Sequence, residues 1–360
     1  MTSIDQIQTI LCTSQRILAR GAGTKPPLST ASDETVSLDL SSLSGILEYQ
    51  PKEFTFTALA GTPLAVIEEV LSREGQYLPF DPPLVQRGAT LGGAIASGLN
   101  GSRRYHYGGL RDFILGVRFL DGSGNLIRSG GKVVKNAAGF DYSKLLVGSL
   151  GRLGVVVEAT FKVFPMPEAA RTLRLEYTSL QDALEALYVL STSNLDLDAL
   201  DLEPSAAGTL LWARLAGLRS SLEARTDRTL NLLRSGPSFQ NNMLEGDEEA
   251  TYWERLREFP WASQGDCLVK VPVTPGRIIA LDAAQAAFSL HRRYLAGGQA
   301  AWFATSNPEE LRTVLNGAGL HGLVVTGQVG NSPYLGEPPG RSFYDRVKSA
   351  LDPDHRFPEA

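Results

Sequence analysis

The chain has 360 residues, 43% of them hydrophobic and 8% aromatic, which is enough to fill more than one core. Its 34 Lys and Arg against 39 Asp and Glu leave a net charge of −5 and a pI near 5.5, which argues against general nucleic-acid binding. Two distant cysteines, Cys12 and Cys267, and four scattered histidines exclude a disulfide framework and argue against a protein-held metal or iron–sulfur site. Asp5 stands where a signal peptide would carry positive charge, and no apolar run approaches the ~18 residues of a membrane span. A cytoplasmic location with no transmembrane segment is the expectation.

Ile4, Ile7, Ile10 and Leu11 are spaced as one face of a short helix. A brief strand over residues 17–19 runs into Arg20, Gly21, Ala22, Gly23, Thr24 and Lys25. Pro26 then takes the place of the third glycine of a dinucleotide fingerprint, and no helix is expected after it. The segment reads either as a nest of backbone N–H groups for an anion or as a plain Gly-Pro turn. Residues 36–40 and 55–60 read as strands. Thr62 is placed as the N-cap and Pro63 as the first residue of a helix that buries Leu64, Ile67, Val70 and Leu71. Residues 77–83, ending in Pro82 and Pro83, read as an extended connector.

That connector leads into residues 88–112, which hold seven glycines: Gly88, Gly92, Gly93, Gly98, Gly101, Gly108 and Gly109. Small residues (Ala89, Ala94, Ala96, Ser97, Ser102) lie between them, and Arg87, Arg103, Arg104 and Arg111 flank them. Between residues 86 and 152 there are ten Lys or Arg against three Asp or Glu, in a chain that is acidic as a whole. A basic, glycine-lined region suits a sizeable anionic ligand, although tight turns on a positive face would give the same composition. Residues 114–120 and 126–129 read as a hairpin, and a helix-forming stretch surrounds Leu145. Two further strands are expected over 155–157 and 159–164, closed by a Pro165-Met166-Pro167 boundary.

Beyond residue 171 the glycine density falls. Ser179 is placed as the N-cap of a helix over 180–190, followed by strands over 195–202 and 210–216. Helices are read over 222–233, 245–259 and 280–287, a strand over 267–273 and a last helix over 344–351. The pattern is that of a separate α+β domain, and no internal repeat is visible in the sequence.

The order of RGAGTK, GTPL, FDPP, GATLGGAIASGLNGSRRYHYGGLRDFILG and GSLGRLGVVVEATFKVFP resembles the vanillyl-alcohol-oxidase (PCMH-type) FAD-binding family over residues 5–167. Within it, GGKVVKNAAGFDYSKLLVGSLGRLGVV is similar to the FAD-binding E subunits of glycolate oxidases. The resemblance implies an α+β fold: a two-part FAD-binding domain over 1–167, a second α+β cap domain over 168–320, and a C-terminal return over 321–360. It implies that Arg20, Gly21, Ala22, Gly23, Thr24 and Lys25 wrap the FAD pyrophosphate. The second segment would contribute Pro82, Ala89, Thr90, Gly92, Gly93, Ser97, Gly98, Gly101, Ser102 and Tyr107. Gly151, Gly154, Val155 and Val156 would meet the adenine side. With neither His nor Cys in the first loop, the FAD is expected to be non-covalent.

The resemblance further implies oxidation of a small 2-hydroxy acid, glycolate to glyoxylate, beside a homologous D-type flavoprotein subunit and an iron–sulfur subunit. Any membrane association would be peripheral, through those partners. Lys135, Asn136 and Arg111 are the candidates for charge or hydrogen bonds near the flavin or a carboxylate, though each also reads as a surface or turn residue. The cap lacks clustered histidines, so independent turnover is in doubt. A stand-alone D-lactate-like dehydrogenase and a non-catalytic flavin-fold scaffold remain as alternatives.

Overall fold

The computed structural model describes residues 3–29, 34–131, 140–328, 330 and 332–359. It divides into two compact units. The first comprises residues 1–100, Gly109–Met166 and Pro339–Ala360; the second comprises Gly101–Gly108 and Pro167–Pro338.

The first unit is built on a five-stranded antiparallel sheet in the order Ile46–Gln50, Thr55–Leu59, Val155–Lys162, Ile114–Leu120, Leu126–Gly130. Period-two burial turns Phe56 and Phe161 inward, where their rings stack at 5.8 Å. Each such buried ring contributes roughly 1.5–3 kcal/mol. The two strands expected over 155–164 are one continuous strand to Lys162. Glu158, which interrupts the apolar run, is answered across the ladder by Arg118 at 2.8 Å.

Ile17–Arg20 pairs in parallel with Val36–Asp39, and the helix Ile4–Thr13 buries Ile7 and Leu11. Contrary to the sequence expectation, one helical turn, Pro26–Ser29, does follow the first loop. Proline suits a first helical position because its φ is already fixed and it has no N–H to satisfy. The next helix, Leu64–Ser72, starts one residue later than expected, with Pro63 at its N-cap. Thr62 instead uses its hydroxyl on Leu59 O (2.7 Å) and accepts from Gly45 N (2.9 Å). The C-terminal helix Arg341–Leu351 completes the unit. Its buried Lys348 donates to Asp352 Oδ2 (2.7 Å), Phe357 O (2.9 Å) and Arg152 O (3.1 Å).

The second unit is a nine-stranded antiparallel sheet with helices Leu180–Ser191, Leu222–Leu233, Ile278–Gln285 and Pro308–Gly317 packed into one core on one face. Ser179 caps the first of these, accepting from Asp182 N at 3.1 Å. Chain order reads strand–helix–strand–strand–helix–strand twice, over residues 169–245 and 267–326. The copies meet edge to edge where Ala199–Ser205 pairs with His291–Leu295 at Leu202↔Tyr294. A repeat is therefore present in the topology, as two ferredoxin-like βαββαβ modules, although the sequence shows none. Strands Gly322–Thr326 and Tyr334–Leu335 belong to this sheet, so the chain rejoins the first unit at Pro339 and not at residue 321.

On the opposite face of the sheet lies a buried ion network. Arg214 binds Glu249 in bidentate fashion (2.7 and 3.1 Å) and Asp198 at 2.9 Å, and Arg103 reaches Asp198 at 3.5 Å. Thr172 donates to Glu249 and accepts from Trp253 Nε1, both at 2.8 Å.

Candidate functional site

In the first unit, the end of strand Ile17–Arg20, the helix Leu91–Ser97 and the turn at residues 148–154 converge on a groove. One end, about 440 Å³ including space open to solvent, is lined by the loop from Arg20 to Lys25 together with Thr90, Gly93, Ser97 and Leu150. The adjoining end, about 430 Å³, is lined by Gly92, Ser149, Gly151, Gly154 and Val156. Both share Ala19, Arg20, Gly21, Thr90, Gly93 and Ala96, so they form one continuous groove.

The sequence builds this shape locally. Thr90 starts the helix by accepting from Gly93 N at 3.3 Å, and Gly98 ends it in the left-handed conformation, its N–H bonded to Ala94 O. Thr90 also sets the distance to the first loop: a Cβ at Gly21 would stand 2.2 Å from its Oγ1, so only glycine lets the loop lie this close. Gly23 has φ +70°, which turns the loop back on itself. Among the described residues, the N–H groups of Gly21, Ala22, Gly23 and Thr24 donate to no protein acceptor. Lys25 is 7% exposed, with Nζ 3.3 Å from Thr24 Oγ1. Converging free donors and a buried cation in a narrow groove fit a diphosphate.

Arg20 pairs with Asp39 at 3.3 Å on the rim. Hydrogen bonds from Ser41, with a smaller contribution from Arg20, hold the Asp39 carboxyl below the usual range.

The remaining sequence candidates divide. Gly92, Gly93, Ser97, Gly151, Gly154 and Val156 line the groove with the loop from Arg20 to Lys25. Pro82, Ala89 and Val155 are buried and do not line it; Ala89 O accepts from Leu64 N, and Val155 packs in the core with Leu38 and Phe357. Gly101, Ser102 and Tyr107 belong to the second unit. Ser102 donates to the buried Asp201, which also accepts from Ala296 N at 3.0 Å, so its hydroxyl anchors that unit. Tyr107 packs edge-on against His106, whose Nδ1 lies 3.1 Å from Asp196.

Arg111 is exposed in the turn Leu110–Asp112. Lys135 and Asn136 lie outside the described residues. Sequence reasoning missed Ala19, Leu40, Ala60, Ser149 and Leu150 in the lining, which carry no chemical signal of their own. It also missed Asn100, whose Oδ1 accepts from Leu110 N at 2.6 Å and so closes the excursion of residues 101–108 at its base. A buried Asn a few residues after a helix-ending glycine was the available cue.

Comparison with known proteins gives three findings. Residues 1–130 match a family described as an FAD binding domain. The chain is 35% identical over 322 residues to the glycolate oxidase subunit GlcE of Escherichia coli (strain K12), covering 88% of this chain and 84% of that one. It is also 34% identical over 188 residues to the glycolate oxidase subunit GlcD of Bacillus subtilis, covering 51% of this chain and 40% of that one. Among solved structures, an alkyldihydroxyacetonephosphate synthase superposes with a TM-score of 0.74 at 17% identity, covering 98% of this chain and 73% of that one. At that identity the likeness speaks to the fold alone. No helix of the described residues is long and apolar enough to cross a membrane, and they hold no group of three or more His, Cys, Asp or Glu that could hold a metal ion.

Proposed function

Because this chain belongs to the family of FAD-binding glycolate oxidase subunits, we propose that it is the flavin subunit of a complex that oxidises a small 2-hydroxy acid, glycolate to glyoxylate. The observation that carries this reading is the groove whose free N–H groups at residues 21–24 and buried Lys25 fit a diphosphate. Bound FAD supplies the two-electron acceptor that such an oxidation needs. The chain's own residues hold it. Gly21 to Thr24 donate backbone hydrogen bonds to the pyrophosphate, Lys25 neutralises its charge, and the small residues Ala96 and Gly151 leave room for the rest. Attachment is non-covalent, since the loop from Arg20 to Lys25 offers no His or Cys and Cys12 is exposed on the N-terminal helix. A homologous D-type flavoprotein subunit completes the substrate chemistry, and an iron–sulfur subunit removes the electrons.

The test is anaerobic reduction of the purified full-length chain. It is expected to carry the visible absorbance of one oxidised flavin and to bleach slowly with glycolate or D-lactate. Addition of the D-type and iron–sulfur subunits should restore turnover. A colourless chain that takes up no added FAD would refute flavin binding; rapid bleaching by the chain alone would refute its dependence on partners.

A further inference from the structure

On the face of the nine-stranded sheet opposite the four-helix core, beside the helix Gly246–Leu256, Arg293, Trp302 and Lys270 form one row across three adjacent strands. Trp302 is the register partner of Arg293 on one side and of Lys270 on the other. Their strand neighbours Tyr294, Ala301, Phe303, Val269 and Val271 point into the helix-covered core, which fixes the row on the other face. Paired positions on neighbouring strands place Cβ atoms about 5 Å apart.

Each member of the row holds a donor without an acceptor. Trp302 is 1% exposed and its Nε1 has no partner; Arg293 is 5% exposed and its Nε has none. Lys270, partly buried, has no counter-ion among the described residues, and the charge that acts on it is that of Arg104, also a cation. By contrast, Arg214 and Arg103 share Asp198, and the Nη2 of Arg293 has both Glu203 at 3.2 Å and the Tyr252 hydroxyl at 2.8 Å. Burying an unanswered cation and two unanswered N–H groups costs several kcal/mol unless something supplies the acceptors.

We infer that this row, with Arg104 beside it, is a binding site for a small carboxylate anion. The missing acceptors are those that a carboxylate brings: two oxygens with about four lone-pair sites, and one negative charge for Lys270 and Arg104 to share. Burial and Arg104 already lower the Lys270 ammonium to about 8, the strain that such an anion relieves. The site rests on the functional reading above, since it gives the chain its own hold on the carboxylate shared by a 2-hydroxy acid and its 2-oxo product.

The test is calorimetric titration of the purified full-length chain with oxalate, a small carboxylate that is not a 2-hydroxy acid. Saturable binding is expected in the wild type. Lys270→Met should weaken it at least roughly tenfold, as loss of a charge-assisted bond does, and Trp302→Phe by a smaller factor. Lys270→Arg should hold it within about threefold. Flavin absorbance and circular dichroism are recorded on every variant, so that a folding failure shows itself. Wild-type affinity in a folded Lys270→Met, or no saturable binding by the wild type, overturns the site. A chain that binds oxalate through Lys270 but takes up no flavin would instead overturn the functional reading and leave the site standing.

Discussion

Gly23 carries two demands at once: a φ of +70°, and an N–H free to face a ligand. A Leu there pays roughly 1–2 kcal/mol for the left-handed conformation and puts a side chain beside the loop. Gly23→Leu is therefore expected to fold with a modestly lowered urea midpoint and to lose most of its flavin, read as the ratio of visible to 280 nm absorbance. Unchanged flavin content would remove the pyrophosphate from this loop.

Lys270 gives a prediction in the opposite direction for stability. Its folded-state value near 8 lies below the ordinary 10.5, so between those values the folded chain binds fewer protons than the unfolded one. Stability then rises with pH across that window, and the penalty is fully present below it. Lys270→Met should be more stable than the wild type at pH 7, by about 1–3 kcal/mol in urea, with the gap narrowing towards pH 10. A gap that widens with pH would show that the lysine is not strained.

The helix Arg341–Leu351 is held by one buried cation with three acceptors, so its docking hangs on Lys348. Lys348→Met leaves Asp352 buried without its counter-charge and should cost roughly 3–5 kcal/mol, with faster proteolysis after residue 338. Ser179→Ala, in the other unit, should cost about 1 kcal/mol and leave flavin content unchanged. Element by element, the sequence is readable where period and punctuation agree. The helix Leu180–Ser191 and the hairpin of Ile114–Leu120 with Leu126–Gly130 fall where the spacing puts them. The strand Gln240–Glu245 escapes because it is an edge strand and mostly exposed, so QNNMLE shows no apolar alternation. His291–Leu295 escapes for a different reason: its Arg292 and Arg293 look like surface charge, yet Asp282 and Glu203 neutralise them within the fold. The groove was legible as glycines and cations. Its division from Ser102 was not, because the acceptor for that hydroxyl, Asp201, lies 99 residues further along the chain.

At the scale of the molecule, the second unit is nearly contiguous in sequence, whereas the first is gathered from residues 1–100, Gly109–Met166 and Pro339–Ala360. A chain ending at residue 338 should therefore keep the nine-stranded sheet but bind no flavin. Near-native far-ultraviolet dichroism without visible absorbance is the expected signature, and a yellow truncated protein would refute it. The same arrangement has a consequence on the ribosome. The unit begun first is finished last, since Lys348 is made only after the whole of Pro167–Pro338 has been synthesised. At ~5–20 residues per second, the first unit waits on the order of ten to thirty seconds for its last helix. Through that interval the surfaces that Leu351 and Phe357 will cover stay open to water, and a nascent chain is most in need of a chaperone there.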